Sequence, residues 1–196
     1  MTALLLGLIL FLGVHSTRIV AEGWRGRFIE RRGEGAWKGL YSVIAVIGFV
    51  LIVWGYGVAR QSPWVLWTPP RGMNHLAALL TVPAFVLLVA AYVPRNHLRL
   101  RLRHPMILGV KLWALAHLLA NGTVADLLLF GSFLAWAVLD YRSSRQRDRA
   151  AQGAAGPAAS ASTSATMVTV VVGLLLWAGF AFWAHARWIG VAPFGA

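Results

Sequence analysis

The sequence predicts an all-α integral membrane protein, a bundle of six transmembrane helices with both termini on the non-cytoplasmic side. Three observations predict it. Of 196 residues, 59% are hydrophobic and only 12% charged, about half the roughly 25% of a soluble domain. Apolar runs reach the ~20 residues that a helix needs to cross a bilayer, and they are unbroken where a β-barrel would alternate in short segments. Finally, fourteen of the eighteen Lys and Arg residues fall in three connections and their flanks that share one side, the asymmetry that marks the cytoplasmic face.

The first span is expected from about Thr2 to Val20. "MTALLLGLILFLGVHSTRIVAEGW" has no basic start and no small-residue cleavage site, so it reads as a retained span and not a signal peptide. The first connection and its flanks hold Arg18, Arg25, Arg27, Arg31, Arg32 and Lys38, and the second span runs from about Gly39 to Val58. The third is expected from about Met73 to Val93, kinked at Pro83 by the missing amide. After Arg95, Arg99, Arg101 and Arg103, Pro105 opens the fourth span, which extends to about Ala120. Proline suits a first helical turn, where its absent N–H is not needed. Asn121-Gly122 reads as a left-handed helix end, and Thr123 with Asp126 as a capping box that starts the fifth span, to about Tyr141. Arg142, Arg145, Arg147 and Arg149 lie beyond it. "SSRQRDRAAQGAAGPAASASTSAT" cannot bury a core, and the sixth span follows from about Thr166 to Ala186.

These elements divide the chain into a five-helix membrane core (1–141), a disordered cytoplasmic Ala/Ser/Gly linker (142–165), and a sixth helix with its tail (166–196). Trp64, Trp67, Trp183 and Trp188 fall at the outer interface and Trp24 and Trp37 at the inner one, as an aromatic belt does. Trp113 and Trp177 lie deep in their spans.

Composition narrows the chemistry. A net charge of +12 is accounted for by the cytoplasmic loops, so nucleic acid is not an expected partner; the lipid bilayer is. Without cysteine there is no thiolate ligation, iron–sulfur cluster or disulfide. Paired carboxylates within the spans, a Ser-His-Asp order and a Gly-rich phosphate loop are all missing.

What the spans do carry is histidine. His97 sits among arginines in a loop and His185 at the outer interface, so both read as surface residues. His15, His75, His104 and His117 lie inside spans, where ionisable groups face the bundle interior and mark sites. Neutral imidazole is the commonest metal ligand, and histidines from facing helices hold haem in bundles. The plainer reading is a histidine hydrogen-bonded between packed helices. His104 and His117 are ~20 Å apart along one helix and roughly 140° around it, so they cannot face each other across one metal. Depth matches His15 with His104 and His75 with His117. Trp113 lies one turn from His117 and can flank a flat ring. Lys111, seven residues past His104, and Arg18, one turn past His15, are candidates to meet an anionic group such as a cofactor carboxylate.

"GVHSTRIVAEGWR", "GEGAWKGLYSV", "RHPMILGVKLWALAHLLANG" and "LLLFGSFLAWAVLD" resemble the NnrU family of membrane proteins over roughly residues 1–141. The resemblance implies the bacterial inner membrane and an association with denitrification. The family is similar to the plant zeta-carotene isomerase, which holds haem b, so the likeness implies haem b with His15 and His117 as iron ligands and His104 in a supporting His-Pro motif. The chain departs from the plant enzyme at Ala114, where that enzyme has a cysteine, and at "ARQSPWVLW", where an Asn-His-Arg motif would stand. Two functions follow from the likeness. One is a redox, sensor or assembly component of nitrite and nitric oxide respiration, with a partner membrane protein or a second copy. The other is a haem-dependent cis-trans isomerase of a carotenoid-like apolar substrate. Apart from the likeness, a structural or transport protein with packed histidines remains.

Overall fold

The computed structural model describes residues 1–151 and 160–194. Among them the chain is helical, with one isolated bridge, Val65 to Thr123, as its only extended pairing. Four helices are long and apolar enough to cross a membrane: Glu34–Ala59, Met73–Ala90, Val124–Ala150 and Thr163–Ile189. Thr2–His15 and Pro105–Ala120 are apolar but shorter. Large apolar side chains line the outside of these helices, among them Val46, Phe49, Val50 and Trp54 of one helix. A soluble protein rarely exposes such a continuous face; a hydrocarbon surround makes it favourable. The chain forms two compact units, residues 1–67 with 122–140, and residues 68–121 with 141–196.

In the first unit, α1 (Thr2–His15) is followed by the short α2 (Thr17–Val20), α3 (Glu22–Arg32) and α4 (Glu34–Ala59). The first expected span thus breaks at Ser16, and α3 is a separate basic helix in what was expected to be loop. Its Trp24 and Phe28 rings meet Trp37 of α4 edge-on at 5.8 Å. Helices α1 and α4 pack along a seam of small residues. A Cβ on Gly7 would come within 2.6 Å of the Ile52 backbone nitrogen, and one on Gly55 would strike the Leu4 backbone. Lipid supplies no hydrophobic force to press helices together, so close backbone approach and its dispersion contacts are what hold such a pair. Buried Gly48, Ile52, Gly55 and Ala59, at intervals of three and four, make this one stripe of α4.

Two helices of the second unit come next, α5 (Met73–Ala90) and the short α6 (His97–Leu102). Helix α5 passes through Pro83 and ends three residues sooner than the expected third span. Past its end, fully buried Asn96 donates to the Ala90 and Val93 carbonyls and accepts from the Arg99 amide, closing one helix and opening the next. Helix α7 (Pro105–Ala120) starts on Pro105 as expected. It does not end in a left-handed glycine: Asn121 is extended, at φ −132° and ψ 148°, and Gly122 is not among the positive-φ residues. The Asn121 amide instead donates to the His117 carbonyl at 2.8 Å. Gly122 serves the first unit, where a Cβ would collide with the Trp67 carbonyl and its own carbonyl accepts from the Leu66 amide at 2.8 Å.

Helix α8 (Val124–Ala150) contributes its residues up to Asp140 to the first unit and the rest to the second. The Thr123 capping box forms as expected: the Thr123 amide and hydroxyl both donate to Asp126 Oδ2, at 2.9 and 2.6 Å, and the Asp126 amide donates back to the Thr123 hydroxyl. Tyr56 donates to the other carboxylate oxygen at 2.6 Å, so this buried acid is well satisfied. At its far end α8 continues to Ala150, through the start of the stretch expected to be disordered linker. Arg, Gln and Ala favour a helix, and Arg145 to Asp148 is an i,i+3 pair at 3.2 Å. The expected disorder of 152–159, and the last two residues of the expected tail, lie outside the described residues.

Helix α9 (Thr163–Gly179) packs on α5, which also packs on α7. Ser162 caps α9 by accepting from the Ala165 amide, and its own amide donates to the Arg95 carbonyl. From Phe180 to Ile189 the winding opens into a π-helical segment, ended by Gly190 in the left-handed conformation, φ 76°. Contacts of α6 with the start of α9, and of the α7 start with the end of α8, gather the Arg95–Arg103 and Arg142–Arg149 stretches at one end of this unit.

Candidate functional site

In the second unit α5, α7 and the α9–π segment line a half-open cavity of about 520 Å³. That is within the roughly 300–1,000 Å³ of cofactor and small-ligand sites. Its walls are mostly apolar, and the chemistry they carry comes from two imidazoles, His117 and His185, and from Asn74, Thr81 and Asn121. Broad rings complete it: Trp113 from α7, Phe85 from α5, Trp177 and Phe180 from the last span.

Local helix geometry sets the state of His117. Its Nδ1–H donates to the Trp113 carbonyl one turn back, at 2.8 Å. A carbonyl only accepts, so Nδ1 carries a proton and Nε2 is the ring nitrogen a metal would use. That orientation suits a metal ligand, because the hydrogen bond fixes the tautomer and raises ligand basicity. The Trp113 ring lies 5.3 Å from the His117 ring. Across the cavity, Trp177 is oriented by an Nε1–H bond to Thr81 at 3.0 Å. Asn74 donates to the Pro193 carbonyl at 3.0 Å, which ties the C-terminal segment to the start of α5.

His185 is the member the sequence reading missed. It stands on the π-helical segment, its Nδ1–H donates to the Val191 carbonyl at 2.6 Å, and its ring meets Phe180 edge-on at 5.7 Å. A signal existed: Trp177, Ala181 and His185 are spaced by four, so the deep Trp177 and the histidine share one face.

The other expected site residues lie elsewhere. His75, on α5, packs against Phe194 with ring centroids 6.2 Å apart and does not line the cavity. His104 stands at the N-cap position of α7 without capping it by its side chain, and its Nε2–H donates to Asp148 at 3.0 Å. Arg145 at 3.2 Å and Arg103 at 3.7 Å meet the same carboxylate oxygen. This cluster lies beyond the apolar length of α8, which gives way at Arg142. Burial raises the Asp148 carboxyl, but the His104 hydrogen bond and the charges of His104, Arg103 and Arg145 outweigh it and hold the group below its ordinary 3.8. Lys111, for which no carboxylate partner was expected, has its ammonium 4.0 Å over the Tyr141 ring. Both His104 and Lys111 therefore meet the end of α8.

The first unit holds His15 and Arg18. His15 donates through Nδ1 to the Phe11 carbonyl at 2.6 Å, stacks on Phe11 at 4.2 Å, and is boxed by Tyr41 and Trp136 at 5.0 and 5.9 Å. The Trp136 indole N–H is buried with no hydrogen-bond partner. Arg18 pairs with Glu22 at 3.4 Å. Of the expected residues, then, the cavity brings together only His117 and Trp113.

No cluster of three or more His, Asp or Glu side chains among the described residues has the arrangement to hold a bare metal ion. A haem needs no such cluster. Its macrocycle supplies four nitrogens and the protein adds one or two axial donors, and an apolar, ring-walled cavity lined by two imidazoles that donate through Nδ1 fits that demand.

No curated protein and no solved structure matches the chain. The family model described as NnrU protein matches residues 3–193, and so takes in the last span, which the motif resemblance had left out. The chain belongs to the NnrU protein family.

Proposed function

We propose that this protein is a haem b-binding component of the bacterial cytoplasmic membrane, supporting respiration of nitrite and nitric oxide as a redox, sensing or assembly factor. The observation that carries the haem reading is His117, tautomer-fixed beside Trp113 on the wall of an apolar cavity. The iron would supply reversible one-electron change and affinity for small diatomic ligands. These residues would hold the group: His117 as a nitrogen donor to the iron, Trp113, Trp177 and Phe180 as apolar walls, and Asn74 and Thr81 as polar neighbours. The resemblance pairs His117 with His15 of the first unit. The respiratory role rests on the family association alone.

Six membrane crossings with both termini outside the cytoplasm complete this reading. The basic stretches around α3, α6 and the end of α8 support it. So does the apolar character of α1 and α7, which at 1.5 Å per residue are short of the ~30 Å core and would call for local thinning or flanking residues at the interface. Reporter fusions at each terminus test it: activity of a periplasm-dependent reporter at both ends is expected, and activity of a cytoplasm-dependent one contradicts it.

A second reading, cis-trans isomerisation of a carotenoid-like substrate entering from the lipid, is favoured by the apolar lining of the cavity. Ala114 removes the cysteine through which the plant enzyme's ligand exchange would operate. Expression in a carotenoid-producing host that lacks its own isomerase separates the two: isomerised product supports this reading, and unchanged substrate favours the first.

The primary test is an absorption spectrum of the detergent-purified protein, oxidised and then reduced with dithionite, with a pyridine haemochrome. A Soret band and a haem b haemochrome are expected, both lost in His117→Ala. A colourless protein from haem-replete cells would return the histidines to packing between helices.

A further inference from the structure

We infer that His185 is the second axial nitrogen donor in the cavity, so that the haem site is completed within the second unit. The inference rests on the haem reading above and deepens it.

Three observations meet here. His117 and His185 line the same 520 Å³ cavity, and His75, the other histidine of these spans in the unit, does not line it. Both rings donate Nδ1–H to a backbone carbonyl, Trp113 at 2.8 Å and Val191 at 2.6 Å, so in both Nε2 is the nitrogen an iron would use. That matched preparation is what two axial ligands of one iron require. The backbone under His185 also departs from the α-helix in a way that needs a reason. The π winding of Phe180–Ile189 is less favourable than α, and π segments concentrate at functional sites. Gly190, at φ 76°, turns the chain so that the Val191 carbonyl reaches back to the His185 ring.

Depth agrees. With the basic loops on the cytoplasmic side, the C-terminal halves of α7 and of the last span both point outward, so His117 and His185 approach the same face of the membrane. The ligand class is an iron porphyrin bound low-spin between two imidazoles. Its edge would lie against the aromatic walls, with Asn74 and Thr81 as the nearest polar side chains.

The test compares wild type with His185→Ala, His185→Met and His15→Ala, each purified in detergent and read by haem-to-protein ratio, optical spectrum and ferric electron paramagnetic resonance. Wild type is expected to be low-spin. His185→Ala should keep haem but turn high-spin, with added imidazole restoring the low-spin spectrum. His185→Met should give a His/Met spectrum, which separates ligation from a folding effect. His15→Ala should stay low-spin. A low-spin wild type that is unchanged by both His185 substitutions, or that turns high-spin only in His15→Ala, overturns the inference and leaves the haem reading standing. A high-spin wild type also overturns it alone, and a colourless wild type overturns both.

Discussion

The two units carry a histidine each in nearly the same local setting, and they treat it differently. His15 and His117 both donate Nδ1–H to the carbonyl four residues back. Around His15 the first unit closes three aromatic rings over a glycine seam. Around His117 the second unit leaves a cavity, with a second imidazole on its wall. Backbone irregularity occurs in both units, at Ser16 and Gly33 in the first, but the positive-φ non-glycine residues Arg95 and Arg103, the proline within α5 and the π winding fall in the second. Strained or open backbone is costly and persists where the surrounding structure enforces it, often at functional sites. What separates the two histidines is the space beside them, rings at His15 and a cavity at His117.

The largest effect is expected in the first unit. Gly55→Leu puts a side chain into the Leu4 backbone and should destabilise the α1–α4 pair by an amount at the top of the about 1–3 kcal/mol typical of overpacking, seen as a large fall in thermal stability in detergent. Gly57→Leu, where a Cβ meets nothing within 4 Å, should leave stability nearly unchanged. Equal losses would remove the seam from the account.

Asp126→Ala comes next. It strips acceptors from the Thr123 amide, the Thr123 hydroxyl and the Tyr56 hydroxyl, and should cost about 2–3 kcal/mol. Tyr56→Phe should cost less, because the capping box survives. Chemical denaturation in mixed micelles ranks the two, and a Tyr56→Phe loss as large as that of Asp126→Ala would contradict the capping role.

The smallest effect belongs to Asp148. Its carboxyl is held below its ordinary value of 3.8, so its contribution is full above that value and is lost as pH falls through the lowered one. Asp148→Asn should cost no more than about 1 kcal/mol at neutral pH, less at high salt, and should flatten the acid limb of the stability–pH curve. An unchanged acid limb would detach His104, Arg103 and Arg145 from this carboxylate.

Much of the fold was legible because lipid imposes simple rules. Long apolar runs must be helices, since no water is present to satisfy free backbone groups, and Pro105 and Thr123–Asp126 mark helix starts by chemistry that is local. What failed was less local. The Asn121-Gly122 pair resembles a left-handed helix end, but Gly122 is selected by the Trp67 carbonyl, a partner remote in sequence. The α8 extension was hidden because Ser143 and Ser144 look like the start of a linker, while Asp148 gains its partners from the start of α7. His117 and Trp113 were visible as a pair one turn apart. His185 was set aside as interfacial although its spacing from Trp177 puts both on one face, because the sequence does not announce a π-helical turn beneath it.

The most direct test of the central claim, that the second unit holds the cofactor, is the haem-to-protein ratio of His117→Ala and His15→Ala measured side by side. The account predicts that His117→Ala loses haem while His15→Ala retains it. Loss in His15→Ala with retention in His117→Ala would contradict it.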